Sequence, residues 1–467
     1  MAVVFDNARR FDATVPVVIV GAGACGLISA LAATEAGADV LVLERDRVPA
    51  GSTALSSGFI PAAGTRHQRD AGVADTPAQF AADVLRKNRG EADPRIVATI
   101  CAAAGPAIEW LADRCAVPFV LIEGFLYPGH SVPRMHSLPD KTGQALMAAL
   151  TAACARAGVD ILSEAQVTTL HADLQRRIRG VSFGRPDGTV EDIGCDALVL
   201  ACSGFGGNPA MVASEIPELA DAPYFGHSGN RGDAIAWGRA LGAAVADMAA
   251  YQGHGSVATP HGILITWALM TEGGIQVNAQ GRRFSNEHDG YSEQCARVLA
   301  QPGRCAWNVY DARLHQLGLA FPDYRDAVAA GAIRSAATVE SLAQVLGLPA
   351  AVLPETIAST MRFAAGTASD PFGRDFTTKP ALHPPYHAVT VTGALFHTQG
   401  GLAVDANARV CNASGVPLPN LCAGGGAARG VSGSHDSGYL SGNGLLSAVA
   451  LGRIAGRTSA GLASRIA

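Results

Sequence analysis

The sequence feature that most constrains the fold is a valine- and isoleucine-rich run that leads directly into a glycine-rich turn. Val17–Val20 predicts a buried parallel strand, Gly21-Ala22-Gly23-Ala24-Cys25-Gly26 follows it, and an alanine-rich helix is predicted from Leu27 to about Ala36. A second strand, Val40–Leu43, ends in Glu44. Glycines at this spacing let the backbone approach a pyrophosphate at the helix N-terminus, and the acid accepts hydrogen bonds from a ribose. The pattern therefore predicts a dinucleotide-binding β-α-β unit.

The same segment resembles an export signal or a membrane span, because Thr14 to Thr34 carries no charge and Arg9-Arg10 precede it. However, Pro16 and the glycines interrupt it, whereas a signal core or a transmembrane helix is continuously apolar. We therefore expect a buried strand and helix, no integral membrane segment and a cytoplasmic protein.

Composition excludes other classes of protein. Lys and Arg number 35 against 40 Asp and Glu, and only 16% of residues are charged, so we expect no nucleic-acid partner, because phosphate binding needs a dense basic surface. The ten cysteines are scattered and none forms a C-x-x-C pair. We therefore predict no metal site and a reducing compartment.

Further polar and glycine-rich segments distinguish between the possible dinucleotides. A flexible stretch at Gly51–Gly58 follows Glu44, and strands are predicted to run into glycine turns at Ala197–Phe205 and Leu421–Gly426. Gly442-Asn443-Gly444-Leu445-Leu446 opens the last apolar helix. Contacts distributed over the whole chain favour an extended FAD rather than NAD.

Several motifs occur in a fixed order along the chain. They are Cys202-Ser203-Gly204-Phe205, Gly232-Asp233-Ala234, Gly274-Ile275-Gln276-Val277-Asn278, Arg283-Phe284-Ser285-Asn286-Glu287 and His397-Thr398-Gln399-Gly400-Gly401-Leu402. With the glycine motifs they resemble the flavoprotein family of fumarate reductase and succinate dehydrogenase, which also contains 3-ketosteroid dehydrogenases. The resemblance covers nearly the whole chain. It implies an α/β fold in which a Rossmann-like FAD-binding domain with a parallel sheet, residues 1–250 and 387–467, is interrupted by an α+β substrate-capping domain, residues 251–386.

The expected FAD contacts combine the glycine motif with this resemblance. They are Gly21, Gly23, Ala24, Cys25, Gly26, Glu44, Arg45, Ser52, Thr53, Ser56, Ser57, Gly58, Val167, Ser203, Gly204, Asp233, Gly401, Gly425, Gly442, Asn443 and Leu445. The FAD is expected to be non-covalent, because Ser52-Thr53-Ala54 stands where covalent members carry a linking histidine. The N-terminus of the last helix, near Gly442, would stabilise negative charge on the reduced flavin. Alternatively, Gly442 and Gly444 serve only close packing.

The substrate site departs from fumarate reductases at two positions. The resemblance places Tyr291 where those enzymes have a proton-donating arginine, and Tyr439 where an arginine clamps a carboxylate. The stretch Thr266–Thr271 also lacks the arginine and the acid that supply protons in those enzymes. Because arginine is the usual partner of carboxylates, losing both weakens the case for a dicarboxylate substrate.

Ketosteroid dehydrogenases use tyrosines at these positions to introduce a C=C bond beside a ketone. By that likeness, Tyr439, Ser441 and the Asn443 backbone handle the carbonyl and its adjacent proton, and Tyr291 is the partner acid or base. A phenol can donate to a developing enolate and a phenolate can accept a proton. The sequence leaves open which tyrosine abstracts the proton.

Other residues are compatible with a second polar group on the substrate. His254 and His397 match histidines that contact carboxylates in fumarate reductases, and Tyr127 is a further candidate for the pocket. In contrast, we expect His130, Arg134 and His136 to form a solvated basic loop. Arg429 could meet an anion but lies off the clamp position.

The sequence thus predicts an FAD enzyme that forms an α,β-unsaturated ketone from a cyclic or steroid-like ketone. The alternative is a fumarate-reductase-like enzyme that reduces or oxidises the carbon–carbon bond of a carboxylic acid. A non-catalytic flavin-binding subunit is a third possibility. The partners are a small-molecule substrate and an electron acceptor that the sequence does not identify.

Overall fold

A computed structural model describes residues 2–123, 126–435 and 438–464. The chain forms two compact units, each continuous in space but not in sequence. The first unit contains residues 1–216, 226–251 and 397–467, and the second contains residues 217–225 and 252–396.

The strands are, in chain order, β1 (Ala2–Phe5), β2 (Thr14–Val20), β3 (Val40–Leu43), β4 (Ile60–Pro61), β5 (Val120–Leu121), β6 (Met135–Ser137), β7 (Asp160–Leu162), β8 (Gln166–Ala172), β9 (Ile178–Gly184), β10 (Val190–Leu200), β11 (Val245–Ala246), β12 (Tyr251–Ala258), β13 (Ile263–Leu264), β14 (Ile275–Val277), β15 (Cys305–Asp311), β16 (Ile333–Ala336), β17 (Tyr386–Thr398), β18 (Gly401–Leu402), β19 (Arg409–Cys411) and β20 (Pro417–Ala423).

The helices are α1 (Ala24–Glu35), α2 (Gly51–Ala54), α3 (Arg66–Asp70), α4 (Pro77–Lys87), α5 (Pro94–Cys115), α6 (Gly143–Arg156), α7 (Pro209–Glu215), α8 (Asp233–Ala240), α9 (Ala268–Thr271), α10 (Tyr291–Leu299), α11 (Ala312–Gly318), α12 (Pro322–Ala329), α13 (Val339–Leu346), α14 (Val352–Ala364) and α15 (Asn443–Ala463). Short 3-10 turns occur at Pro217–Leu219, Pro302–Arg304 and Gly425–Ala427.

A nine-stranded mixed sheet organises the first unit. Its order is β1-β8-β9-β10-β2-β3-β7, and β20 with β19 extends from β10. Strand β2 lies parallel between β10 and β3, and Val17, Val18 and Ile19 have no exposed surface. Burial on both faces explains why this strand is an uninterrupted apolar run. The predicted strand–turn–helix of an α/β dinucleotide fold is confirmed.

Helices α1 and α15 pack against each other beside this sheet and contribute to one hydrophobic core. Helix α5 is the one helix in the described part of the chain that is long and apolar enough to cross a membrane. Ile100, Ala104 and Ile108 on this helix are fully buried in the same core. This burial is the arrangement expected of a core helix.

The second unit has its own sheet and its own core. Strands β13-β12-β17-β15-β14 are joined in that order, and β16 pairs with β17. Residues such as Val309, Leu314 and Ile357 form the separate core. Residues 387–396 lie in this unit rather than in the FAD-binding domain to which the prediction assigned them, because β17 pairs with β15 and β16. Residues 217–225 join it as well, and Tyr224 bridges Leu395.

Candidate active site

The glycine-rich turn between β2 and α1 forms an anion cradle. A Cβ at Gly26 would lie 1.8 Å from the Gly21 carbonyl oxygen, so only glycine fits there. At Gly23, by contrast, a Cβ would meet only Thr53 Oγ1, at 3.8 Å, which leaves open space at the N-terminus of α1. Unpaired backbone N–H groups and the helix dipole favour a phosphate at such a position.

The acid after β3 is held against this turn. Glu44 is buried, and its carboxylate accepts hydrogen bonds from the Ala22 N–H at 2.7 Å and the Asp46 N–H at 2.9 Å. These two bonds orient the carboxylate beside the cradle, where the fold expects the ribose of a dinucleotide.

The polar stretch after Glu44 folds back onto the cradle. Thr53 Oγ1 accepts from the Ala24 N–H at 3.2 Å, and Ser52 Oγ accepts from the His227 N–H and from Asn230 Nδ2. Ser56 caps the short helix by donating to the Thr53 carbonyl at 2.7 Å. The next candidate, Ser57, is exposed. In the structure this stretch forms a hydrogen-bonded polar rim beside the cradle.

Some candidate cofactor residues interact mainly with the protein. Arg45 donates to Asp233 at 2.6 Å and to the Gly229 carbonyl at 2.7 Å, so two candidates neutralise each other. Val167 is buried in β8. Burial raises the pKa of the Cys25 thiol to about 12, so this residue is a neutral packing group. Their contact with FAD stays a prediction.

A second group of candidate site residues, Ser203, Gly204 and His397, surrounds Gly426. A Cβ there would lie 2.9 Å from the Gly204 nitrogen and 3.1 Å from both Ser203 Oγ and His397 Nε2. At Gly401, a Cβ would lie 2.6 Å from the Ala428 carbonyl carbon. The glycine segment at 424–426 thus brings the turn after β10 and the His397 side chain together.

A chain of side-chain hydrogen bonds leads from His397 to the start of α15. The Gln399 amide contacts His397 Nδ1 at 2.8 Å and Ser432 Oγ at 3.1 Å, and the Asn443 side chain contacts the same hydroxyl at 3.0 Å. Leu440 also presents its N–H and its carbonyl to the Asn443 amide, each at 3.2 Å. The amide nitrogen of Gln399 faces Nδ1 and can only donate, so the neutral His397 ring carries its proton on Nε2. Sequence analysis missed Gln399 and Ser432 as members of this chain.

Tyr439, Ser441 and Asn443 are buried at alternate positions before and at the start of α15. Tyr439 is 6% exposed, Ser441 5% and Asn443 0%. Gly442 precedes the helix with a φ of +89°, and a Cβ there would lie 2.5 Å from Pro61 Cδ. The segment is therefore tightly packed. Gly442 has to be glycine because of its positive φ and the close approach of Pro61.

The prediction that the loop carrying His130, Arg134 and His136 is solvated was wrong. All three side chains are buried, with exposures of 6%, 1% and 0%. Asp75 and Asp83 pair with Arg134, which makes burial of the charge tolerable. His130 Nε2 lies 3.0 Å from the Ser441 carbonyl oxygen. Tyr127, on the same loop, is partly exposed and stacks edge-on against Phe59.

In the second unit, the other two candidates stack on each other. The rings of His254 and Tyr291 are 4.9 Å apart and nearly parallel. His254 Nδ1 accepts a hydrogen bond from the Ser256 N–H at 3.2 Å, so the neutral ring carries its proton on Nε2. Ser292, next to Tyr291, accepts from the Gly253 N–H at 2.9 Å and fixes the two segments together.

Further aromatic rings surround His254, and the sequence analysis did not identify them as part of a site. The Trp267 ring is nearly perpendicular to the His254 ring, with the two centroids 5.8 Å apart, and the Phe396 ring is tilted, with its centroid 5.7 Å from that of His254. The Phe225 ring stacks on Phe396. These residues are distant in sequence and share no motif. Only their common position around one buried ring groups them.

Burial keeps both candidate histidines neutral. Desolvation lowers the pKa of His254 to about 3 and that of His397 to about 4. At neutral pH each ring therefore acts as a hydrogen-bonding group rather than as a cation.

Arginines near the candidate segments are engaged in ion pairs. Arg283 and Arg374 both pair with buried Glu287, and Arg429 pairs with Asp247 at 2.8 Å. Burial by itself would raise the pKa of Glu287, but the two arginines lower it to about 2. These guanidinium groups therefore hold the structure and are not free clamps for a carboxylate.

The cradle at Gly23, the buried acid Glu44 and the open N-terminus of α1 fit an FAD. The chain belongs to the FAD binding domain family, which it matches over residues 16–445. As the resemblance implied, it is an FAD-binding oxidoreductase that is similar to flavoproteins of the fumarate reductase type.

Individual relatives refine this placement. An NADH:fumarate oxidoreductase of Klebsiella pneumoniae is 29% identical over 95% of this chain, which spans 47% of that protein, or about half its length. A 4-oxocyclohexanecarboxylate 2-dehydrogenase of Sinomonas cyclohexanicum is 26% identical, with 97% of this chain and 94% of that protein covered. The crystal structure of 3-ketosteroid-Δ4-(5α)-dehydrogenase from Rhodococcus jostii RHA1 has a TM-score of 0.80 and 28% identity, covering 97% of this chain and 98% of that one.

Proposed function

We propose that the protein is an FAD-dependent dehydrogenase that introduces a C=C bond next to the ketone of a cyclic substrate. A tyrosine of the chain would take the proton from one carbon, N5 of a bound flavin would accept the hydride from the neighbouring carbon, and the C=C bond would replace the two C–H bonds. When bound, the flavin supplies the hydride acceptor. The chain itself supplies the base, the hydrogen bonds to the ketone and the exclusion of water.

The observation that carries the proposal is the pair of tyrosines at positions where fumarate reductases use arginines. Tyr439 is buried next to Ser441, and Tyr291 stacks on a neutral histidine. Tyr439, with Ser441 and the Asn443 backbone, acts at the ketone and its adjacent proton, and Tyr291 is the partner acid or base. Hydrogen-bond donors at the ketone oxygen stabilise the enolate character that develops as the proton leaves.

The substrate class follows from the remaining polar groups. His254 and His397 are neutral, so they suit a second carbonyl, a hydroxyl or a single carboxylate at the far end of the substrate. Two of the relatives are named for dehydrogenating cyclic ketones, and one of those ketones carries a carboxylate. We therefore propose a saturated cyclic ketone with one further polar group, in a non-covalent FAD enzyme.

Anaerobic bleaching of the oxidised flavin absorbance tests this function. A saturated 3-oxosteroid, 4-oxocyclohexanecarboxylate and unsubstituted cyclohexanone are added in separate cuvettes, with succinate as the acid. We expect bleaching by a ketone, loss of that bleaching in Tyr439→Phe, and retention in Tyr386→Phe, a buried tyrosine outside the candidate site. Bleaching by succinate alone would refute the proposal.

The second candidate is a reductase or dehydrogenase of a carboxylic acid. The neutral Nε2–H donor of His254 and the similarity to a fumarate oxidoreductase favour it. Its signature is reoxidation of dithionite-reduced enzyme by fumarate. The acceptor that reoxidises the enzyme after ketone oxidation is a separate question, which the same cuvettes can address by adding quinones or oxygen.

A further inference from the structure

The loop before β6 contacts the Tyr439–Ser441 segment through one buried histidine. His130 Nε2 lies 3.0 Å from the Ser441 carbonyl oxygen, and its Nδ1 lies 3.2 Å from Nη1 of Arg134. A guanidinium group only donates hydrogen bonds, so Nδ1 must accept. The ring proton is therefore on Nε2 and is donated to the Ser441 carbonyl.

Arg134 is itself held by two carboxylates. Its Nε and Nη2 donate to the two oxygens of Asp75, each at 3.0 Å, and Nη1 donates to Asp83 at 2.5 Å. The guanidinium also stacks over Phe80 at 4.6 Å. The Arg134 and Asp75 side chains are fully buried, and the Asp83 side chain is 2% exposed. A bidentate pair inside the core fixes both the position and the direction of the arginine.

The same loop touches this segment at another point. A Cβ at Gly129 would lie 2.6 Å from Leu440 Cδ1, so the backbone of the loop packs directly on the residue between Tyr439 and Ser441. Desolvation, reinforced by Arg134, lowers the pKa of His130 to about 4, and the ring stays neutral at physiological pH. The hydrogen bond from the His130 ring to the Ser441 carbonyl is therefore one between neutral groups, and it does not change near neutral pH.

We propose that His130 is a positioning residue, through which the buried Arg134–Asp75–Asp83 cluster fixes the backbone of the Tyr439–Ser441 segment. The catalytic meaning of this contact rests on the proposed function, because it concerns the tyrosine and serine assigned there. A displacement of about 1 Å at reacting groups can reduce a rate by about 100-fold, so a fixed backbone has kinetic value.

Two substitutions of His130 test the roles of its two ring nitrogens separately. His130→Asn keeps an acceptor for Arg134 but is too short to reach Ser441, whereas His130→Gln restores a donor at the Nε2 position. The matched control is His136→Asn. His136 is also buried, in strand β6 that follows the loop, and contacts Thr65 Oγ1 at 2.9 Å and the Arg134 carbonyl oxygen at 2.9 Å.

Two measurements are made on FAD-loaded enzyme. Hydrogen exchange of the peptide that contains Leu440–Asn443 reports the backbone directly and needs no substrate. We expect exchange about tenfold faster in His130→Asn, the loss of roughly one hydrogen bond, with no change in His136→Asn. The limiting rate of flavin reduction by the ketone should fall by about 100-fold in His130→Asn and recover in His130→Gln.

The outcomes are distinguishable. Unchanged exchange in His130→Asn, or equal acceleration in His136→Asn, would overturn the positioning role. If no ketone reduces the unaltered enzyme, the proposed function fails, and the exchange measurement still decides whether His130 fixes the segment.

Discussion

His254 and His397 are both buried, neutral histidines, but the protein holds them in different ways. The proton of His254 is placed on Nε2 by a backbone N–H, that of Ser256, and its ring is wedged among aromatic side chains. His397 contacts a side-chain amide, which continues through Ser432 to Asn443 at the start of the last helix. The first arrangement depends on packing and the second on a hydrogen-bonded relay.

The difference shows how one fold can set two histidines to separate tasks. A backbone N–H is lost only on substitution by proline and is not reoriented by a ligand, so His254 has one stable tautomer and presents a donor. At His397 the donor is the side-chain amide of Gln399, whose oxygen accepts from the Ser432 hydroxyl, so the tautomer of this ring depends on side chains that substitution can change. The two tyrosines differ in the same way. Tyr291 stacks on the His254 ring, whereas Tyr439 lies in a segment that is held through its backbone.

The largest effect should distinguish the two tyrosines. Tyr439→Phe and Tyr291→Phe each remove one hydroxyl, and we expect the anaerobic rate of flavin reduction by a ketone to fall by about 10²- to 10⁴-fold in the variant that loses the base. The variant that loses only a donor to the ketone should fall less. The flavin content of each variant serves as the control. If both variants reduce the flavin at the wild-type rate, neither tyrosine takes part in the proton transfer.

The next effect concerns the stability of the second unit. Arg374→Met leaves the buried Glu287 with one arginine fewer and should lower the free energy of unfolding by about 3–5 kcal/mol. Lys379→Met, which breaks the half-exposed pair with Glu272, should cost about 0–1 kcal/mol. Urea unfolding followed by circular dichroism measures both. Similar losses would mean that the buried cluster contributes no more than a surface pair.

The pH dependence of stability should report the buried histidines. The pKa values of His254 and His397 are lowered by desolvation to about 3 and about 4, below the ordinary value near 6.5. The unfolded chain then binds more protons, so stability is present above about pH 6.5 and is lost as pH falls towards 4. Thermal midpoints between pH 7 and pH 4.5 should show a shallower slope in His254→Leu than in wild type. An unchanged slope would show that His254 titrates normally.

The smallest effect is a change of tautomer. In ¹⁵N-histidine spectra, His254 should show a proton on Nε2 alone, whatever happens at Ser432. Ser432→Ala removes the hydroxyl of the relay and should shift the His397 nitrogen resonances while those of His254 stay in place. Movement of both, or of neither, would contradict the distinction between the two histidines.

Local signals were sufficient for the nucleotide-binding half. The apolar run at Val17–Val20, the glycine spacing and Glu44 lie within one short stretch, and their geometry depends on neighbours in sequence. The structure confirmed the strands and helices predicted there. The order of the motifs along the chain was enough to identify the family.

Local sequence signals were wrong for His130, Arg134 and His136. The three basic residues lie in one short segment with a glycine, and we therefore predicted that they are solvated. The carboxylates that make their burial possible, Asp75 and Asp83, lie 59 and 51 residues before Arg134, and nothing local indicates the pairing. Gln399 and Ser432 were missed for a related reason. Their role depends on a hydrogen-bond chain across segments.

The sequence by itself determined the FAD-binding fold and the family, because periodicity, glycine spacing and residue identity are local properties. Only the tertiary structure decided which charges are neutralised, which nitrogen of His254 carries its proton and which loop holds Ser441. Those properties depend on desolvation and on hydrogen bonds between distant segments, and the chain acquires them only when it packs.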